Sequence, residues 1–183
     1  MTSVQTVGEQ GDDRVVIPTP GLLTLCTGNA ARSVMAGAML ADVPMRIVTA
    51  GTHGVEGQPM SRRTREARAA VGFRADGHRS HQITDRDVEA AEVILAMAGE
   101  HVAYVRRTYP DAAAKTATIK RLYRDLPDTD QPLAVRIALL GLADLPLEAW
   151  EDVEDPAGGE DETYLSCAKE LSVLCADLQG RLH

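Results

Sequence analysis

Positive charge is in short supply in this chain of 183 residues: 19 lysines and arginines face 27 aspartates and glutamates, a formal charge of −8. Sequence-independent nucleic-acid binding needs a basic surface to neutralise phosphates, so no nucleic-acid partner is expected and the acidic balance speaks only for solubility. Cysteine is nearly as sparse. Cys26, Cys167 and Cys175 are odd in number and widely spaced, which gives no disulfide framework and no paired metal-ligand spacing with the histidines, so neither metal nor cofactor is expected. A reducing cytoplasm fits that usage best. Long apolar runs are missing as well, and residues 1–13 lack the basic start and apolar core of a signal peptide, so no membrane segment is expected. Residues 1–20 read as a flexible tail leading past Pro18 and Pro20, and residues 21–183 fit one domain with a full core.

What the chain does have is concentrated early. Leu22 to Leu25 is short and apolar enough for a buried strand, while Val34 to Leu40 is rich in residues that favour helix. Between them, Cys26-Thr27-Gly28-Asn29-Ala30-Ala31-Arg32-Ser33 carries only short side chains apart from the arginine. Successive backbone N–H groups can therefore converge ahead of a helix N-terminus, a concavity that binds anions. At its floor, Cys26 meets N–H groups, the helix dipole and the Arg32 guanidinium, all of which favour thiolate, so it is expected to be a nucleophile near neutral pH. Arg32 offers a planar fork matched to two oxygens of a phosphate or another tetrahedral oxyanion. The hydroxyl of Ser33 is placed to donate to the sulfur. A cysteine followed by an arginine six positions on is weak evidence alone, since a cysteine ending a buried strand is usually plain core; the strand, loop and helix around it add the weight.

Further along, Met45 to Ala50 reads as a second strand closing at Gly51, which makes a βαβ unit and puts the cysteine loop at the carboxyl end of a parallel sheet. A helix is expected from Pro59 to Val71, its Arg62, Arg63, Arg65 and Arg68 forming a solvated face. Thr84 and Asp87 resemble a capping box opening a short helix over 85–91. Glu92 to Met97 is the clearest third strand, Gly99 to Tyr109 a helix stopped by Pro110, and Thr118 to Tyr123 a fourth strand whose polar residues place it at an edge. Residues 131–143 form an apolar helix, alone or with a turn, offering a face for a homodimer or a cover for the site. A long amphipathic helix over 164–182 packs on the sheet. Between Asp144 and Glu162 lie nine carboxylates and no lysine or arginine, so like charges are expected to raise the pKa of a buried member such as Asp155 and keep it protonated for acid catalysis.

The order of Leu25-Cys26-Thr27-Gly28-Asn29 with Arg32-Ser33, Thr49-Ala50-Gly51-Thr52, His78 with Gln82-Ile83-Thr84, Ile94-Leu95-Ala96-Met97 and Asp155-Pro156 resembles the low-molecular-weight protein tyrosine phosphatase family, from about residue 21 to the carboxyl terminus. The resemblance implies an α/β fold, a four-stranded parallel twisted sheet with helices on both faces. It implies a metal-independent phosphatase in which Cys26 takes the phosphoryl group as a cysteinyl-phosphate. Arg32 clamps its oxygens, backbone N–H groups of Thr27, Gly28, Asn29, Ala30, Ala31, Arg32 and Ser33 cradle it, and Asp155 protonates the leaving oxygen. Asn29, Ser33, Thr49 and His78 would hold the loop. Substrates would be phosphorylated protein, phosphotyrosine above all, or a small-molecule phosphate, with inorganic phosphate and other oxyanions as product or inhibitors.

The chain departs from the family pattern in three places. Ala31 stands where members often carry a second loop cysteine. Asp155-Pro156 is followed by Ala157-Gly158 and not by tyrosines, and the loop over 52–59 lacks a tryptophan; Trp150 is left either to fold toward the site or to serve as core or hinge. The segment 124–150 reads as expanded. Two alternatives stay open. An arsenate reductase of related fold would relay oxidation through Cys167 and Cys175, which helical spacing separates by about 12 Å, too far for a disulfide. A non-catalytic phosphate-binding module would keep the loop and lose turnover.

Overall fold

The computed structural model describes residues 21–74 and 77–183, so the expected tail over 1–20 lies outside it. The strands are β1 (Gly21–Cys26), β2 (Arg46–Gly51), β3 (Ala91–Ala96) and β4 (Thr116–Thr118), all parallel in the order β2-β1-β3-β4. Helix α1 (Arg32–Met39) joins β1 to β2; α2 (Arg62–Ala70) and α3 (Asp85–Ala90) precede β3; α4 (Gly99–Thr108) leads to β4. Then come α5 (Ile119–Asp125), α6 (Leu133–Leu139) and the long α7 (Asp161–Gln179).

β1 is buried along its whole length and reads as an unbroken apolar run because both of its faces are covered. Leu22 and Cys26 join a core with Met35 and Met39 of α1, Leu122 of α5 and Leu171 of α7, while Leu23 and Leu25 face Val88 of α3 and Val105 of α4. Successive residues of the strand thus feed opposite layers. The chain leaves β1 for β2 on one side and later returns to β3 on the other, and ligands bind at such a switch point in open α/β sheets. Cys26 is the last residue of β1. Among the described residues, no helix is long and apolar enough to cross a membrane.

Three expectations change. The fourth strand is Thr116–Thr118 and not 118–123. Thr118 caps a helix by accepting the N–H of Arg121 at 3.1 Å, and the buried Ile119, Leu122 and Leu126 follow helical spacing, so the segment read as an edge strand is α5, with Tyr123 on its exposed side and Arg121 buried against Glu151. The arginines of α2 are not one solvated face: Arg68 is buried, and Arg62 and Arg63 pair with Glu160 and Asp161 at the start of α7. Trp150 lies in neither site nor core. It is half-exposed, with the guanidinium groups of Arg124 and Arg121 at 4.0 and 4.9 Å from its ring centre, a cation–π arrangement. The capping box is present: Thr84 accepts from the Asp87 N–H while Asp87 accepts from the Thr84 N–H.

The expanded segment is held by arginines reaching carbonyl oxygens. Arg136, fully buried on α6, donates to Pro127 O at 3.2 Å and His183 O at 2.7 Å. Arg106 reaches Leu142 O at 2.6 Å and Arg181 reaches Leu126 O at 2.8 Å. α6 leaves Val135 and Leu139 exposed, and no residue of α6 lines the pocket that holds Cys26.

Candidate active site

The cysteine loop leaves β1 and climbs into α1, whose first two residues are Arg32 and Ser33. The N-cap, Ala31, has no side chain to satisfy the first-turn N–H groups, and from Thr27 to Ala31 no backbone N–H donates to a described protein group. A helix start left open in this way favours an anion.

Asn29 organises the loop from within. It is fully buried with φ at 50°, a left-handed conformation that asparagine tolerates better than most residues. Its Nδ2 donates to Ser33 Oγ at 3.0 Å and Thr49 Oγ1 at 2.9 Å, and its Oδ1 accepts the His81 N–H at 2.8 Å. Ser33 Oγ therefore accepts from Asn29 and keeps its own hydrogen for Cys26 Sγ, 3.0 Å away. His78 Nε2 lies 2.9 Å from Asn29 O. A carbonyl only accepts, so the proton sits on Nε2. Burial pulls the His78 pKa down, partly offset by the bond to Asn29, and Arg68 lowers it further.

The main chain closes the back of the loop. Thr52 N donates to Cys26 O at 2.9 Å and His53 N to Thr27 O at 2.8 Å. Gly51 pairs with Cys26 across the sheet, and a Cβ there would lie 2.6 Å from Thr27 O and 2.9 Å from Asn29 N. Only glycine allows so close an approach.

Arg32 is 3% exposed. Its Nη1 donates to Val153 O at 3.2 Å, and its Nη2 to Asp155 Oδ2 at 2.5 Å and Thr27 Oγ1 at 3.4 Å. Asp155 differs from the sequence expectation: its side chain is 44% exposed and its nearest charge is this guanidinium. It is not buried, and its ion-pair partner is an arginine and not one of its fellow carboxylates. Cys26, Thr27, Gly28, Ala30, Ala31, Arg32 and Asp155 border one cavity of about 290 Å³. Cys26, Arg32 and Asp155 thus meet at the cavity, Asn29, Ser33, Thr49 and His78 lie behind the loop, and Trp150 is elsewhere.

Sequence reasoning missed other participants. Ser61, Thr64 and Tyr164 line the same cavity, so α7 contributes one aromatic wall where the family's own positions hold none. His101, 1% exposed, places Nε2 3.0 Å from Thr27 Oγ1. Thr27 gives its hydroxyl hydrogen to Glu100 Oε1 at 3.2 Å, so His101 Nε2 is the donor. Burial and then Arg32 lower its pKa to about 4. A lone histidine in a helix carries no signal that would have found it. Cys167 and Cys175 are buried and free, and burial pushes both thiols up to about 12. Among the described residues, no group of three His, Cys, Asp or Glu side chains is arranged to hold a metal ion.

The family model for low molecular weight phosphotyrosine protein phosphatases matches residues 21–135. The chain belongs to this family. Members are phosphoric monoester hydrolases, and this chain is a cysteine-dependent phosphatase. A protein-arginine-phosphatase of Geobacillus stearothermophilus is 29% identical over 164 residues, covering 88% of this chain and 95% of that one. The solved YwlE arginine phosphatase from the same organism superimposes with a TM-score of 0.71 at 29% identity, covering 90% of this chain and 93% of its own. A low molecular weight protein tyrosine phosphatase from T. tengcongensis gives 0.69 at 29% identity, covering 87% and 97%. The match to the family model ends before Asp155, so the segment around that residue is covered by the longer alignments alone.

Proposed function

We propose that residues 21–183 form a metal-independent phosphatase domain, in which Cys26 Sγ attacks the phosphorus of a bound phosphate monoester. The sulfur–phosphorus bond forms as the bond to the leaving oxygen breaks, and Asp155 delivers a proton to that oxygen. Arg32 turns from Asp155 to two phosphate oxygens, held meanwhile at Nη1 by Val153 O, while the loop N–H groups take the remaining charge. Ser33 steadies the sulfur as nucleophile and later as leaving group. In the second step Asp155 accepts a proton from water, which attacks the cysteinyl-phosphate and releases inorganic phosphate and the free thiolate. The observation that carries this reading is the meeting of Cys26, Arg32 and Asp155 at one cavity, with the hydroxyl hydrogen of Ser33 aimed at the sulfur.

The proposed substrate is protein phosphotyrosine or another aryl phosphate, its ring beside Tyr164, and the proposed location is the cytoplasm. A second reading, phosphorylated arginine on a protein, is favoured by the name of the relative aligned over most of its length and by small walls at Ala30, Ala31 and Ala157, which suit a flexible leaving group. Arsenate reduction is disfavoured, since two buried thiols with strongly raised pKa values are poor relays.

The test is hydrolysis of an aryl phosphate and of phosphotyrosine, phosphoarginine and phosphoserine peptides by wild type, Cys26→Ser and Asp155→Ala. Cys26→Ser is expected to fall to background, and Asp155→Ala to suffer most on poor leaving groups. Equal turnover in all three proteins would sink the mechanism, and phosphate binding without any Cys26-dependent turnover would make the loop a binding module.

A further inference from the structure

The segment carrying Asp155 starts beside the end of β3, where the Val153 N–H bonds Met97 O at 2.8 Å, and enters α7 at Asp161. Between these points it makes a turn at the cavity, closed by Gly159 N on Pro156 O at 3.0 Å and by Ala157 N on Asp155 Oδ1 at 3.0 Å. The end beside β3 is fixed by the main chain. The far end is held by two arginines of α2, Arg63 above all: it donates from Nη1 to Gly159 O at 2.8 Å, from Nη2 to Glu160 Oε2 at 2.7 Å and from Nε to Asp161 Oδ1 at 2.9 Å. Arg62 Nη2 adds Asp161 at 3.2 and 3.3 Å. Three edges of a rigid fork grip three consecutive residues, a pattern a lysine cannot reproduce.

The same helical turn also holds the other half of the site. Ser61 and Thr64 line the cavity, and Thr64 Oγ1 donates to Ala30 O of the cysteine loop at 3.0 Å. The first turn of α2 therefore grips the loop of the nucleophile with one residue and the segment of the acid with its neighbour.

We propose that Arg63 is a positioning residue that sets the reach of Asp155 over the bound substrate, and through it the ability of the enzyme to expel poorly activated leaving groups. This rests on the reading of Asp155 as the general acid. In the structure Asp155 sits against Arg32; once phosphate claims that guanidinium, the carboxyl must settle at the leaving oxygen. A segment pinned at both ends leaves it a short path. Glu160 and Asp161 are largely exposed, and ion pairs of that kind contribute little to stability. The clamp should therefore show itself in catalysis more than in folding.

The experiment measures kcat and KM for Arg63→Ala, Arg63→Lys, Asp155→Ala and the Arg63→Ala/Asp155→Ala double variant, on phosphate esters running from 2,4-dinitrophenol through phenol to an alkyl alcohol. The reading is taken from kcat/KM, which ends at release of the leaving group and excludes the later attack of water on the cysteinyl-phosphate, a step common to all esters. Arg63→Ala is expected to lower kcat/KM on phenyl phosphate about 10- to 100-fold, the scale of a displaced catalytic group. On the dinitrophenyl ester, which needs little protonation, kcat/KM should stay within about twofold. Arg63→Lys should recover part of the loss, and the double variant should match Asp155→Ala. A uniform loss across all esters, or a further loss in the double variant, would overturn the proposal; were Arg63→Ala not to fold, the leaving-group slope of Arg63→Lys decides by the same criteria. If Asp155→Ala keeps the wild-type slope, the acid assignment itself fails. A steep slope there beside a wild-type slope in Arg63→Ala overturns the clamp alone.

Discussion

Two stretches of this protein, the cysteine loop over 27–31 and the long excursion over 126–150 that carries α6, are held in opposite ways. The loop is tied by short neutral side chains, Asn29, Ser33 and Thr49, and by main-chain bonds to the neighbouring strand. The excursion is tied by long cationic side chains, Arg106, Arg136 and Arg181, each ending on a carbonyl. Short side chains leave few rotamers to lose and fix atoms closely, which a site for a tetrahedral anion requires. Long ones cover distance and tolerate irregular chain, which suits structure that only has to stay folded.

The comparison can be broken most sharply at Asn29. Asn29→Ala removes both loop ties and frees the His81 N–H, so kcat/KM on an aryl phosphate should fall about 100-fold, the scale expected when reacting groups shift by about 1 Å. A loss of only a few-fold would mean that the main chain holds the loop unaided.

On the same side, His101 and His78 are titratable groups among neutral ties, and His101 is the more deeply buried. Its pKa is lowered to about 4 in the fold against about 6.5 for a free histidine. Above pH 6.5 both folded and unfolded chains hold it neutral and its contribution to stability is complete; as the pH falls, the unfolded chain takes up the proton first, and stability drains until the folded chain titrates too. Two and a half pH units correspond to up to about 3 kcal/mol. Urea unfolding of His101→Gln between pH 7 and 4 should show a shallower decline than wild type, and parallel curves would argue against the buried neutral ring.

In the excursion, Arg136→Met should cost about 2 kcal/mol by removing the charged donor of the bonds to Pro127 O and His183 O while kcat on an aryl phosphate stays at the wild-type value. Calorimetry and steady-state kinetics check the two halves, and a fall in kcat would join the regions that the comparison separates. The smallest effect is expected for Cys167→Ala/Cys175→Ala, with phosphatase activity within about twofold of wild type, since small substitutions at sites that touch no substrate act through packing. Any thioredoxin-dependent arsenate reduction that vanished in this variant would revive the reductase reading.

The same contrast governs what the sequence made legible. The strand, loop and helix around Cys26 follow one another along the chain, so their roles show in local pattern, and the Thr84–Asp87 box is a three-residue signal that the structure repeats. Arg63 and Arg136 act on partners 96 and 47 residues away, and such contacts leave no periodic trace. Tyr164 was visible as a helix residue, but its place on the cavity depends on how α7 crosses α2. The fourth strand was misplaced because three residues of strand end in a threonine that caps the next helix, and β-prone residues at such a junction fit both patterns. Asp155 was found by its neighbours in sequence and misjudged in its surroundings, since a run of carboxylates says nothing of an arginine arriving from another element.

Gly51 draws one last consequence from the packing of the cysteine loop. Its Cα faces main-chain atoms of Thr27, Gly28 and Asn29, so a larger residue there would meet backbone that no second substitution can trim. Most contacts in a protein can drift, one side chain shrinking as its neighbour grows. This one has no partner able to yield, and a lineage that altered it would have to rebuild the loop in a single step or abandon its chemistry.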